Sequence, residues 1–161
     1  MLISNEWLKD YVNVDQSVQA LAERITRTGI EVDDIIDYTK DIKNLVVGHV
    51  LSKTPHPNAD KLNICQVDLG EEEPVQIVCG APNVDEGQHV IVAKVGGRLP
   101  GGIKIKRAKL RGERSEGMIC SLQEIGISSH VTPKNFESGI YVFPEAVKPG
   151  TDAVSYTHLR A

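Results

Sequence analysis

Leu45-Val46-Val47-Gly48-His49-Val50-Leu51 and Leu62-Asn63-Ile64-Cys65-Gln66-Val67-Asp68-Leu69 are short, mainly apolar runs separated by a stretch rich in Pro, Asn and Asp. Runs of this length, rich in β-branched residues and bounded by turn formers, predict strands. The pattern continues along the chain, with further strands expected near 75–79, 88–95, 103–111, 117–120 and 139–143. Many short strands in succession predict a mainly β fold, a small barrel or sandwich. In Ile103-Lys104-Ile105-Lys106-Arg107-Ala108-Lys109-Leu110-Arg111 the near alternation predicts one apolar face, with Lys104, Lys106 and Lys109 pointing outward. Ser121-Leu122-Gln123-Glu124 has the spacing of a capping box, and Gly126 could end the short helix that follows.

Upstream of this region the period changes. Val18, Leu21, Ala22 and Ile25 follow helical spacing, with Asp15 or Ser17 available as a cap and Gly29 as a stop. Ile30 to Tyr38 then reads as one half-buried strand interrupted at Asp33-Asp34. A helix or two with one strand cannot bury their own apolar faces, so residues 1–38 predict a small α+β fragment that needs a partner. The strand-rich domain is expected at 39–150. Residues 151–161 show no clear period and are read as a truncated end or added tail without function.

Composition narrows the function classes. With 40% apolar and 25% charged residues and no apolar run near the roughly 20 residues that span a bilayer, a soluble chain is expected. The first seven residues lack a basic leader and a long apolar stretch, which predicts a cytoplasmic location. Cys65, Cys79 and Cys120 are too widely spaced for a metal knuckle and too few for a disulfide framework, so they are expected as small buried residues. The histidines lack zinc-protease spacing, and no metal site is expected. Gly96-Gly97-Arg98-Leu99-Pro100-Gly101-Gly102 lacks the lysine and hydroxyl residue of a phosphate loop, and Pro100-Gly101 suits a hairpin turn. Glu71-Glu72-Glu73 reads as a solvated turn, and His56, between Pro55 and Pro57, as part of a rigid loop. No catalytic residue and no cofactor is predicted.

Charge is unevenly distributed. The net charge is -4, but residues 91–115 hold eight bases (Lys94, Arg98, Lys104, Lys106, Arg107, Lys109, Arg111 and Arg114) against Glu113 alone. A polyanion would meet this stretch. Stacking partners for bases are few, since Tyr141 and Phe143 alternate as if buried and Phe136 is the one loop aromatic placed to stack. Recognition through backbone phosphates and shape is therefore expected.

Four strings taken together carry a family resemblance: His56-Pro57-Asn58-Ala59-Asp60-Lys61-Leu62, Ile77-Val78-Cys79-Gly80-Ala81-Pro82-Asn83-Val84, Lys109-Leu110-Arg111-Gly112, and Ser115-Glu116-Gly117-Met118-Ile119-Cys120-Ser121. In order and spacing they resemble the EMAP-like tRNA-binding domain shared by several aminoacyl-tRNA synthetases and their helper proteins. The first stretch, Met1-Leu2-Ile3-Ser4-Asn5-Glu6-Trp7-Leu8-Lys9-Asp10-Tyr11-Val12, resembles the start of bacterial phenylalanyl-tRNA synthetase β subunits. The resemblance implies a five-stranded oligonucleotide-fold (OB-fold) barrel with a short helix, inserted into a second domain whose first piece is residues 1–38. It further implies tRNA as partner, a catalytic α subunit in a heterotetramer, and ATP and magnesium for the parent ligase, with none bound by this segment. The RNA-binding candidates are Lys94, Arg98, Lys104, Lys106, Arg107, Lys109, Arg111 and Asn83. A stand-alone RNA-binding or chaperone-like protein, and a scaffold domain without RNA contact, are the alternatives.

Overall fold

In the computed structural model, residues 1–37, 40–127, 129, 130 and 132–158 are described. The chain divides into two compact units, Met1–Tyr38 and Thr39–Ala161. In the first, α1 (Asn5–Lys9) is capped by Ser4 and α2 (Val18–Arg27) by Ser17, whose hydroxyl accepts from the Ala20 amide at 3.2 Å. Ser17 is thus the cap and Asp15 is not. Gly29, with φ 100°, ends α2 while the Ile30 amide donates back to Ile25 O. Val18, Leu21, Ala22 and Ile25 are half-buried and no residue of α2 is fully buried. The strand expected from Ile30 does not form over residues 30–37, and Ile30, Ile35 and Ile36 are exposed. A strand exists through a ladder with a neighbour, and this unit supplies none among the described residues. Tyr38 lies outside the described residues.

The second unit is the expected barrel. Its strands are β1 (Lys43–Pro55), β2 (Asn63–Asp68), β3 (Val75–Cys79), β4 (His89–Leu99), β5 (Ile103–Lys104), β6 (Ala108–Leu110), β7 (Glu113–Ser115) and β8 (Gly117–Ile119). All pairings are antiparallel, in the order β3-β2-β1-β4, with β8 and β5 sharing the far edge of β4. β1 buries Leu45, Val47 and Val50. At Gly48 an added Cβ would stand 2.7 Å from both Val67 Cγ1 and Val92 Cγ2, so only glycine fits this crossing. Side chains complete the cylinder between β3 and the β7–β8 segment. Ser115 Oγ accepts from the Val78 amide at 3.1 Å and donates to Gly117 O, while Gln76 Nε2 donates to Arg114 O at 2.9 Å. One backbone bond, from Glu116 N to Gln76 O, joins them.

The predicted strand at 103–111 is broken. Ile105 exchanges backbone hydrogen bonds with Gly96 and Gly97, after which the chain leaves β4 to pair with β7 as β6. Of the apolar residues meant for one face, Ile105 is buried while Ile103 and Leu110 are exposed. Near 121 the capping box forms, the Ser121 amide donating to Glu124 Oε2 and the Glu124 amide to Ser121 Oγ, but it closes a single turn ended at Gly126. At 139–143 no continuous strand forms; Val142 bridges Val90, Phe143 N donates to His89 O and Tyr141 N to Cys120 O. Within the stretch read as a tail, α3 (Ala153–His158) follows a bridge between Asp152 and Val46, and Ala153 is buried. Cys65, Cys79 and Cys120 are buried free thiols, and burial pushes the Cys120 thiol up to about 12. Among the described residues no helix is long and apolar enough to cross a membrane.

His49 on β1 faces His89 on β4, the rings stacked with centroids 4.4 Å apart, and Asp68 on β2 stands opposite His49. Burial, and then the His49 ring, lower the His89 pKa from its ordinary 6.5. As pH falls, the unfolded chain takes up this proton before the folded one. Stability is therefore complete above the unfolded value and is lost as pH falls through the lowered folded value. Thermal midpoints should decline from about pH 7.5 to about pH 5.5, and His89→Gln should flatten that decline. The same slope in the variant would exclude the histidine pair as its source.

Candidate nucleic-acid interface

Two sequence-distant loops, at 56–58 and 110–112, lock together. The turn between β6 and β7 consists of Arg111 (φ 51°) and Gly112 (φ 97°), with Leu110 opposite Glu113. Two central residues with positive φ make a type I′ hairpin, the turn whose twist matches its strands. His56 holds this hairpin. Its ring is buried, Nδ1 accepts from the Asn58 amide at 3.0 Å, and Nε2 stands 2.9 Å from Leu110 O. Since Nδ1 accepts, Nε2 carries the proton and donates to that carbonyl. Asn58 Nδ2 donates to Arg111 O, and Arg111 Nη1 donates to Asn58 O, each at 3.4 Å. Both ring nitrogens of His56 are thus occupied in positioning the chain.

Asn83 serves a similar purpose. Its Nδ2 donates to Ile140 O at 2.8 Å and its Oδ1 accepts from the Ile140 amide at 3.0 Å, so the side chain pairs with backbone as a neighbouring strand would. Gly139, at φ 133°, leaves the room this requires.

The basic candidates fall into separate groups. Lys94 contacts Glu71, and Arg107 Nε lies 3.4 Å from Glu116 Oε1. Arg111 reaches the Asn58 carbonyl. Lys106 and Lys109 are exposed, and Lys109 stands opposite Arg114 across β6–β7. Arg98 and Lys104 are exposed and directly opposite each other across β4–β5. Lys43 lies on the other side of Arg98, across β1–β4. Sequence reasoning missed Lys43 because it lies far upstream of the basic segment, and only strand register brings it there.

Phe136, Tyr141, Phe143 and Tyr156 form an edge-to-face chain with centroid spacings of 5.0, 5.1 and 5.3 Å. Phe136 is therefore packed against Tyr141 as part of the core margin, and no aromatic of the second unit is exposed among the described residues. A groove of about 360 Å³ lies between β3, β8 and Ile140, lined mainly by apolar side chains and backbone with Ser121 and Glu124. Among the described residues no cluster of His, Cys, Asp or Glu is arranged to hold a metal. The arrangement suits phosphate attraction more than base stacking.

Residues 45–152 match the family model described as "Putative tRNA binding domain". The chain is 96% identical over 159 residues to a phenylalanine–tRNA ligase beta subunit of Staphylococcus epidermidis, covering 99% of this chain and 20% of that protein. To the beta subunit of Staphylococcus aureus it is 82% identical over the same length, again covering 99% and 20%. The chain thus spans about a fifth of the length of these curated relatives. A solved MetRS related protein from Pyrococcus horikoshii aligns at a TM-score of 0.47 and 22% identity, covering 76% of this chain and 97% of that one.

Proposed function

The chain belongs to the tRNA-binding domain family, and from that premise we propose that its barrel holds tRNA for a phenylalanine–tRNA ligase of which it is the β-subunit segment. In this reading the barrel grips the phosphate backbone, and ATP-dependent charging with phenylalanine takes place elsewhere, in the cytoplasm, with a catalytic α subunit as partner. The observation that carries it is the exposed basic surface of β4–β7 in a chain of net charge -4. Residues 1–38 are the first piece of a split α+β domain, whose half-buried helical stripe is completed by polypeptide beyond this chain. A scaffold role without RNA contact is the second reading, favoured by the engagement of Lys94, Arg107 and Arg111 within the protein.

A salt titration with tRNA separates the two. With no exposed stacking aromatic on the barrel among the described residues, binding should be electrostatic, with Kd on the order of 10⁻⁴ to 10⁻⁶ M. Replacing Lys104, Lys106 and Lys109 together by glutamine should reduce the salt slope by about 2 while leaving sequence preference unchanged. Absence of binding at low salt would favour the scaffold, and an unchanged slope would move the RNA surface off this segment.

A further inference from the structure

We propose that Lys43, Arg98 and Lys104 form one phosphate-binding row across three strands, with the RNA backbone of the tRNA as its ligand; this rests on the reading of the barrel as a tRNA-binding module. Lys43 is the direct partner of Arg98, and Arg98 of Lys104, on β1, β4 and β5. Directly opposite residues of an antiparallel sheet point to the same face. Leu99, next to Arg98, is buried, which turns Arg98 and its two neighbours outward, and all three are exposed. None has an acidic partner among the described residues, whereas Arg27, Lys53, Lys94 and Arg107 each face a carboxylate.

The backbone is shaped to produce this row. From Leu45 opposite Ala93, an unbroken register would bring Lys43 opposite Val95. Instead Asn44 takes a left-handed conformation at φ 56°, Gly96 sits at φ 85°, and residues 94–97 bulge against Asn44 alone, so that Lys43 meets Arg98. A Cβ on Gly97 would stand 2.9 Å from Lys43 O, so the close approach of these strands requires glycine. Like charges directly opposite one another destabilise a sheet. A bulge that assembles three cations at such a cost fits an anion that neutralises them. The row crosses two interstrand spacings, about 10 Å, long enough to meet more than one phosphate of an RNA backbone.

The test compares salt titrations of tRNA binding by the wild-type chain, the triple variant Lys43→Gln/Arg98→Gln/Lys104→Gln, and the charge-matched control Lys61→Gln/Lys134→Gln/Lys148→Gln, which changes exposed lysines elsewhere. The row variant should lose about 2 from the slope, Lys43→Gln alone about 0.7 to 0.9, and the control should stay near wild type. The row variant should also melt no lower than wild type without RNA, because its loss relieves repulsion. Equal slopes for the row variant and the control would overturn the row while leaving tRNA binding in place. A wild-type chain that binds no tRNA at low salt would overturn the underlying reading, and the row with it.

Discussion

Replacing Gly139 by alanine should destabilise the barrel by about 4 kcal/mol. The new Cβ would stand 2.2 Å from Asn83 Oδ1 and 2.7 Å from Asn83 Cγ, so the amide could not keep its place. Both bonds to Ile140 would be lost, and Ile140 is only 3% exposed, leaving its N–H and C=O without water as a substitute. Each unpaired buried group costs about 1 to 3 kcal/mol, and holding an L-residue at φ 133° adds about 1 to 2. Urea unfolding of the variant measures the sum. Asn83→Ala, which breaks the same bonds without the backbone strain, should cost less than Gly139→Ala. A Gly139→Ala loss below about 1 kcal/mol would mean that Asn83 is not the brace described.

The second large effect is expected at His56. Truncation to alanine removes a side chain that is 5% exposed, together with its bonds to the Asn58 amide and the Leu110 carbonyl. We expect a loss of about 3 kcal/mol, from two hydrogen bonds and the space vacated by the buried ring. The signature should be local as well as global. Amide exchange should accelerate in β6 and β7 more than in β1, because the ring is what fastens that hairpin to the loop at 56–62. Urea unfolding gives the first quantity and exchange by NMR the second. Stability within about 0.5 kcal/mol of wild type would show that the hairpin is held without it.

Much of the barrel was legible because β1 to β4 carry strong local signals: alternating or continuous apolar runs, with Pro57, Gly70, Pro74 and Gly87 marking their turns. The helix at 18–27 was legible from its stripe and its serine. The break after Ile105 was marked in the sequence only by a one-residue slip of the alternation at Lys106-Arg107, while the backbone there is set by Gly96 and Gly97 on a different strand. β7 escaped because Glu113-Arg114-Ser115 holds no apolar residue, and its place is fixed by the turn at Arg111-Gly112 and by Gln76. The strand expected at 30–38 had the right composition, but over residues 30–37 it finds no ladder partner among the described residues. α3 escaped because six residues are too few to reveal a helical period.

For the interface, the concentration of bases in residues 91–115 was visible, and so was the scarcity of stacking aromatics. The acids that occupy Lys94 and Arg107 were not, since Glu71 lies 23 residues from Lys94 and reaches it only across the folded sheet. Asn83 stood out through its motif, and its hydrogen bonds tie that motif to Ile140, 57 residues away. The family strings thus coincide largely with bracing contacts: His56 to the hairpin, Asn83 to Ile140, and Ser115 to Val78.

The side-chain seam between β3 and the β7–β8 segment also implies an order of assembly. Its bonds join residues 37 and 38 apart in sequence, and they can form only when β2, β1 and β4 already hold the two edges at the correct separation. The β1–β2 and β2–β3 pairings require much shorter loop closures, which cost less entropy and come earlier. The chain should therefore fold first as an open curved sheet and become a cylinder last, with Gln76 and Ser115 acting in the final step.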